Sequence, residues 1–286
     1  MISLRCPECS EPIDSGTHRC VHDHLVRSSD GIIELFSVEF RKQLVPFLQN
    51  YHKIYKSQSE DWSNEEHKNS PFVFTGSRKK EWAYRRLSLQ VVMESIANKR
   101  NQSILEIGPW NGWLSHHLAK AGHAIVAVDY FREEPYGLQA VKKNSPTAIC
   151  IQTNLQDLSL IAETFDLIVV NHCLQFMPDP RSYANKLKEK LNAGGVLLVI
   201  GSPVFLREKR KVKLIREKEK SWKKQHGVDL YFQAGKGYLN HEDLKQLQKS
   251  NFKFTDYPGS GWKNVVAKII GLRPLYLSGK YDKPAH

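Results

Sequence analysis

The chain has 286 residues, 41% of them hydrophobic, with 42 Lys and Arg against 30 Asp and Glu. That balance excludes whole-chain disorder, and the length suits one enzyme-sized domain with a small appendage. The net charge of +12 suits an anionic partner such as nucleic acid or an anionic membrane surface, but whole-chain charge bears on association and not on fold.

No stretch reaches the roughly 18 consecutive apolar residues of a membrane span. The opening MISLRCPECS lacks the apolar run and cleavage site of a secretory signal, so a cytoplasmic chain is expected. Residues 1–38 hold Cys6, Cys9 and Cys20, whereas Cys150 and Cys173 sit in apolar runs and read as inert core thiols. In a reducing compartment the clustered cysteines favour a metal over disulfides. CPEC, ten residues and CVHDH supply three thiolates and a choice among His22, Asp23 and His24 for a fourth ligand. Zinc takes four such ligands in a tetrahedron; His24, giving C-x3-H, is the choice, with His22 in reserve. Four protein ligands leave no open position, so the zinc is structural, and it supplies folding energy to a segment too small for its own core.

Residues 39–100 are polar and aromatic-studded and read as a helical region, with an irregular middle, SQSEDWSNEEHKNSPF, expected to be a surface loop or lid. From residue 101 to 286 the texture changes. The runs SILEI, AIVAVD, AICIQ, FDLIVV and GVLLVI are continuously apolar, as strands buried on both faces must be. Between them LSHHLAKAG and RSYANKLKEKLNAGG are helical and stop at Gly122 and Gly194. After a cationic stretch come a helix from Glu242 to Ser250 and two closing strands, FKFTDY and WKNVVAKII. The alternation predicts an α/β fold, a Rossmann-like doubly wound, mostly parallel sheet with helices on both faces.

In ILEIGPWNGWLSHHLAKAGHAIVAVDY one strand ends at Glu106, a turn follows, and a second strand ends at Asp129. Ligands of open α/β sheets sit beyond the carboxyl ends of strands, which puts both carboxylates at one crevice. Asp129 can accept the two hydroxyls of a ribose, and Gly108 lets the backbone approach the ligand. A dinucleotide fingerprint needs glycines at 110 and 113, where Trp110 and Trp113 stand, and no P-loop occurs. The turn therefore suits a nucleoside without phosphate.

These residues resemble motif I of class I S-adenosylmethionine-dependent methyltransferases, with Glu106, Gly108 and Gly112 in place and Trp110 where the middle glycine usually stands. The resemblance covers roughly residues 100–270 and implies a seven-stranded sheet and S-adenosyl-L-methionine as cofactor. It places Asn154 and Leu155 at the adenine, and Asn171, His172, Cys173 and Leu174 where many relatives carry N-P-P-Y. Asn171 is therefore counted with the cofactor residues. His172 either faces the acceptor as a base or caps a strand; Trp62, Tyr84 and Arg85 are candidates for the acceptor pocket. The first segment resembles zinc ribbons that precede some methyltransferase domains, including ribosomal RNA guanine methyltransferases.

Leu206 to Gln225 carries ten Lys or Arg and three Glu, which either tracks RNA phosphates or forms a solvated helix with Lys213–Glu217 and Glu219–Lys223 pairs. Three functions follow: methyl transfer to a small-molecule or biosynthetic-intermediate acceptor, methyl transfer to RNA through the ribbon and residues 206–225, or a non-catalytic adaptor in which Trp110 blocks the cofactor. The first is favoured slightly, because the ribbon is the one RNA-binding module recognised.

Overall fold

A computed structural model describes residues 2–285 except 59–68, 73–78, 207–208, 234 and 271–273, and the side chains other than those of 55–58, 80, 209–211, 268 and 270. The five apolar runs form the parallel strands β3 (Ser103–Ile107), β4 (Ala124–Asp129), β5 (Ile149–Thr153), β6 (Phe165–Asn171) and β7 (Leu191–Ile200). With β10 (Lys253–Asp256) and β11 (Leu275–Asp282) they make a seven-stranded centre in the order β5-β4-β3-β6-β7-β11-β10, in which β11 runs antiparallel to β7 and β10.

The strands are apolar throughout because successive side chains enter different cores. Leu105, Ile107, Val126, Val128, Ile168 and Val170 point to one face, which is covered by α5 (Pro180–Glu189) and α7 (His241–Lys249). Ile104, Ile125, Ala127, Leu167 and Val169 point to the other. That face is covered by α2 (Lys79–Ser95), α3 (Trp113–Lys120) and α4 (Leu138–Asn144).

The sheet extends beyond the centre. The hairpin of β1 (Arg27–Ser29) and β2 (Ile32–Leu35) joins it through β2, which runs parallel to β5 with Ile32 opposite Cys150 and Leu35 opposite Thr153. At the other side β8 (Pro203–Phe205) pairs with β11 and with β9 (Leu239–Asn240). The amino-terminal segment is also fastened directly: Leu4 bridges Ile161, the Arg5 N–H donates to the Leu160 carbonyl at 2.8 Å, and the Val38 N–H donates to Glu8 at 2.6 Å. Val38 opens α1 (Val38–Gln58).

Two expectations change. WKNVVAKII is not a strand but all of α8 (Gly261–Ile270) except its first residue; Trp262, Val265 and Ile269 recur at helical spacing, and the β-branched composition misled. The last strand is LYLSGKYD, β11. Gly194 lies inside β7 and does not end α5, whose last residue is Glu189; Gly122, with φ +86°, does close α3, its N–H donating to the Ala119 carbonyl at 2.9 Å. Most of the expected loop or lid, Trp62 included, lies outside the described residues.

Leu35 is fully buried in the same core as the central strands. Leu35→Ala should therefore lower global unfolding free energy by about 2–5 kcal/mol. Chemical denaturation checks this; a loss under about 0.5 kcal/mol, the range of surface changes, would show that β2 only decorates the sheet.

Candidate functional site

A cavity of about 380 Å³ lies beyond the carboxyl ends of β3, β4 and β6, within the roughly 300–1,000 Å³ of small-molecule sites. Gly108, Trp110 and Trp113 come from the first turn, Asp129, Tyr130 and Phe131 from the end of β4, and Asn171, His172 and Cys173 from the end of β6. Phe47 and Tyr51 of α1 and Arg85 of α2 close one side; Lys218 of α6 (Lys209–His226), Tyr231 and Gln233 close another. A larger cavity of about 730 Å³ lies on the far side of Phe131 and Tyr136, but neither the glycine turn nor Asp129 reaches it.

Asp129 is 5% exposed, and its Oδ1 accepts the Phe131 N–H at 3.1 Å. Burial pushes its carboxyl up from the ordinary 3.8 to about 7, against the pull of the Phe131 and Tyr130 amides and with help from the charge of Glu106. Glu106 differs from its expected role. It is absent from the cavity wall and fully buried, because as an alternate residue of β3 it points with Ile104 towards α3. There it accepts from the Ser115 hydroxyl and from Asn171 Nδ2 at 2.8 Å, while burial raises its carboxyl to about 7.

The other cofactor candidates separate in the same way. Gly108, Leu155 and Asn171 line the cavity; Gly112 and Asn154 do not. Gly108 has φ +74°, and a Cβ there would meet the Asn171 carbonyl and Cys173 Sγ at 3.0 Å, so this glycine is required by protein as well as by any ligand. Gly112 has φ +76° and faces Val141, whose Cα would lie 2.8 Å from an added Cβ; it packs α4 against the turn. Asn154 caps its own turn through the Gln156 N–H at 3.1 Å and receives Gln233 Nε2 at 3.2 Å, placing Gln233 on the wall. Two lining residues hold a buried polar atom without a hydrogen-bond partner, the acceptor Asn171 Oδ1 and the donor Trp113 Nε1.

Trp110 takes the left-handed conformation that explains the usual glycine, φ +53°, yet does not fill the cavity. Its ring is held in the wall, stacked on Tyr136 at 5.0 Å and covered by the Arg85 guanidinium at 3.8 Å. Tyr84 is not a lining residue; it stacks on Tyr276 at 3.8 Å. His172, φ +56°, lines the cavity with a buried, unpartnered Nε2 lying against Gly201, where a Cβ would come within 2.0 Å. Burial and the Arg85 charge push its imidazole down to about 3, so it is neutral and weakly basic at physiological pH. Cys173, expected to be an inert core thiol, also lines the cavity, though burial raises its thiol well above the ordinary value. The wall aromatics Tyr130, Phe131, Tyr136 and Tyr231 were not anticipated; only the adjacency of Tyr130 and Phe131 to Asp129 could have marked them.

In the amino-terminal segment Cys6, Cys9, Cys20 and His24 bring one ligand atom each within 4.8 Å of the others. Cys9 and Cys20 Sγ are 3.6 Å apart, and His24 Nδ1 lies 3.5 Å from both Cys6 and Cys20 Sγ. Tetrahedral bonds of about 2.3 Å to sulfur and 2.0–2.1 Å to nitrogen require edges of about 3.8 and 3.5 Å, so the donors fit zinc. His22 is outside this cluster, and Asp23 turns to Arg19 at 2.7 Å.

The strand order and the cavity at the strand ends define the fold of a class I S-adenosylmethionine-dependent methyltransferase. Residues 79–255 match the family described as a methyltransferase domain, more than half of the chain, and the chain belongs to that family. It is 31% identical over 105 residues to a ubiquinone biosynthesis O-methyltransferase of Haemophilus ducreyi, covering 34% of this chain and 44% of that protein. Against the mitochondrial ubiquinone biosynthesis O-methyltransferase of Schizosaccharomyces pombe the figures are 26% over 117 residues, 37% and 42%. The chain spans less than half the length of these curated relatives. The plantazolicin methyltransferase BpumL, solved with a triazolic desmethylPZN analog and SAH, shares the fold at a TM-score of 0.50 with 15% identity, over 86% of this chain and 98% of that one.

Because Asp129 titrates at about 7 in the fold and at about 3.8 unfolded, its burial costs stability increasingly as pH rises between those values. Asp129→Asn removes that loss. The variant should match the wild type below pH about 4 and melt progressively higher than it up to pH about 7, read by thermal unfolding without ligand; an equal or lower midpoint at pH 8 would contradict the buried-carboxylate account.

Proposed function

We propose that this protein transfers a methyl group from S-adenosyl-L-methionine to a small-molecule acceptor, with the cofactor in the 380 Å³ cavity. The carrying observation is the buried Asp129 at the end of β4, on the same wall as the Gly108 turn. Asp129 accepts the ribose hydroxyls, and Tyr130 and Leu155 flank the adenine. Asn171 Oδ1 takes an N–H of the methionine amine, while Trp113 Nε1 and Arg85 face its carboxylate. Glu106 acts indirectly, fixing Asn171 and the first turn of α3 from behind. When bound, the cofactor supplies a methyl carbon already activated by its sulfonium.

The chain's own contribution is positioning and water exclusion, which can supply much of the acceleration of an in-line displacement. The aromatic walls support an apolar acceptor, and Lys218 on the lining supports one whose attacking atom arrives deprotonated, which needs no base. The similarity to ubiquinone biosynthesis O-methyltransferases supports the same class. His172, held down at about 3, is a poor proton acceptor, so we assign it to the wall rather than to proton transfer. RNA gains no support. In the basic helix Lys213 pairs with Glu217 at 3.9 Å, Lys223 turns to Asp229 at 2.8 Å rather than to Glu219, and Trp222 packs on Tyr51, which makes α6 a wall of the cavity.

Titration calorimetry with S-adenosylhomocysteine should show one site, weakened at least about tenfold by Asp129→Ala, the loss of one charged hydrogen-bonding group. Absence of binding would leave the adaptor reading. His172→Gln should change kcat/KM for the acceptor less than about tenfold, whereas loss of a general base removes about 10²–10⁴.

We further propose that Cys6, Cys9, Cys20 and His24 hold one structural zinc. Elemental analysis should find about one zinc per chain, lost in Cys9→Ser with Cys20→Ser, and chelation should lower the unfolding midpoint by roughly 3 °C or more. A metal-free chain of unchanged stability would refute this.

A further inference from the structure

Helix α8 is inserted between β10 and β11, where Asp256 pairs with Leu277 and β11 begins beyond the carboxyl end of β7. It therefore stands at the same edge of the sheet as the cavity. One side is firmly attached: Asn264, 2% exposed, receives the Tyr276 N–H at 3.1 Å and donates to the Tyr276 carbonyl at 3.1 Å and to Asp256, and Ala267 is buried. No described residue covers the other side. Trp262, Val265 and Ile269 are 67%, 54% and 71% exposed, and their spacing of three and four residues aligns them in one stripe. Single exposed apolar residues need no explanation, but an aligned stripe with a tryptophan does.

The charge carried by this helix is of one sign. Within α8 the charged residues are Lys263 and Lys268, with no Asp or Glu, and the nearest acid in sequence, Asp256, is engaged by Asn264. Lys263 Nζ lies 5.8 Å from the Trp262 ring. Tryptophan and aliphatic residues on one side of a short helix with lysine flanks, in a chain of net charge +12, match an anionic bilayer surface, where rings and methyls enter the headgroup boundary and lysines meet lipid phosphates. No helix among the described residues is long and apolar enough to cross a membrane, so the attachment lies on the surface.

We propose that α8 docks this protein peripherally on an anionic membrane, with the cavity edge of the sheet turned towards the lipid. The purified full chain is sedimented with vesicles of phosphatidylcholine alone and of phosphatidylcholine containing one quarter phosphatidylglycerol. The chain should partition onto the anionic vesicles at least about tenfold more strongly than onto the neutral ones, and salt should weaken it. Val265→Ser with Ile269→Ser should weaken partitioning at least about tenfold while leaving S-adenosylhomocysteine affinity in solution unchanged. Because those side chains are exposed, the ligand titration reports folding and tests the cofactor reading separately. Equal binding of the two vesicle types, or a double variant that binds as the wild type does, overturns the proposal. So does a wild-type dimer that the double variant makes monomeric in light scattering without any vesicle binding, since a second copy would then cover the stripe.

Discussion

A single buried carboxylate ties the site together. Glu106 carries no exposed surface, and its oxygens are taken by the Ser115 hydroxyl at the start of α3 and by the Asn171 amide at the end of β6. An unpartnered carboxylate at that depth would be intolerable, so strand, helix and neighbouring strand are held to positions that satisfy it. The consequence appears one layer further out. With its Nδ2 committed to Glu106, Asn171 lines the cavity with Oδ1 left unpartnered, and the turn through Gly108 must pass close over the Asn171 carbonyl. Glu106 thus sets the shape of a site whose wall it does not join.

The two acids at the strand ends show how one residue type is assigned different work by environment. Both are raised to about 7 by burial, yet Glu106 is saturated by protein donors whereas Asp129 keeps its place on the lining. Trp110 makes a parallel point. A bulky ring at a usual glycine position can close a site, but stacking between Tyr136 and Arg85 holds it in the wall, and the cavity remains. The amino-terminal segment is likewise integrated: β2 extends the sheet beside β5, and Arg132, just after the Asp129 loop, bonds back to Ser29 and Asp30 at 2.8 Å. The cysteine cluster and the candidate cofactor cavity are therefore supported by one continuous sheet.

What was legible in the sequence was what depends on local pattern. Two strands, SILEI and AIVAVD, have the bounds expected, because a run buried on both faces has no polar position to blur its ends. The grouping of Cys6, Cys9, Cys20 and His24 was legible too, since all four lie within nineteen residues of one another. WKNVVAKII misled because β-branched residues favour strands in isolation, while its apolar spacing is helical and Asn264, clipped to Tyr276, anchors the helix. Asn154 was assigned to the adenine from its place after a strand, but its side chain is used within its own turn.

The sequence by itself determined the α/β architecture, the glycine-bearing turn, the acid at the end of β4 and the cysteine cluster, because periodicity, positive-φ requirements and ligand spacing are written in neighbouring residues. Only the tertiary structure decided that Glu106 lies behind the site, that Gly112 serves packing against Val141, that the basic helix forms a cavity wall and that α8 carries an uncovered apolar stripe. Those outcomes depend on which residues distant in the chain arrive opposite one another, and burial, not residue type, then sets what each side chain can do.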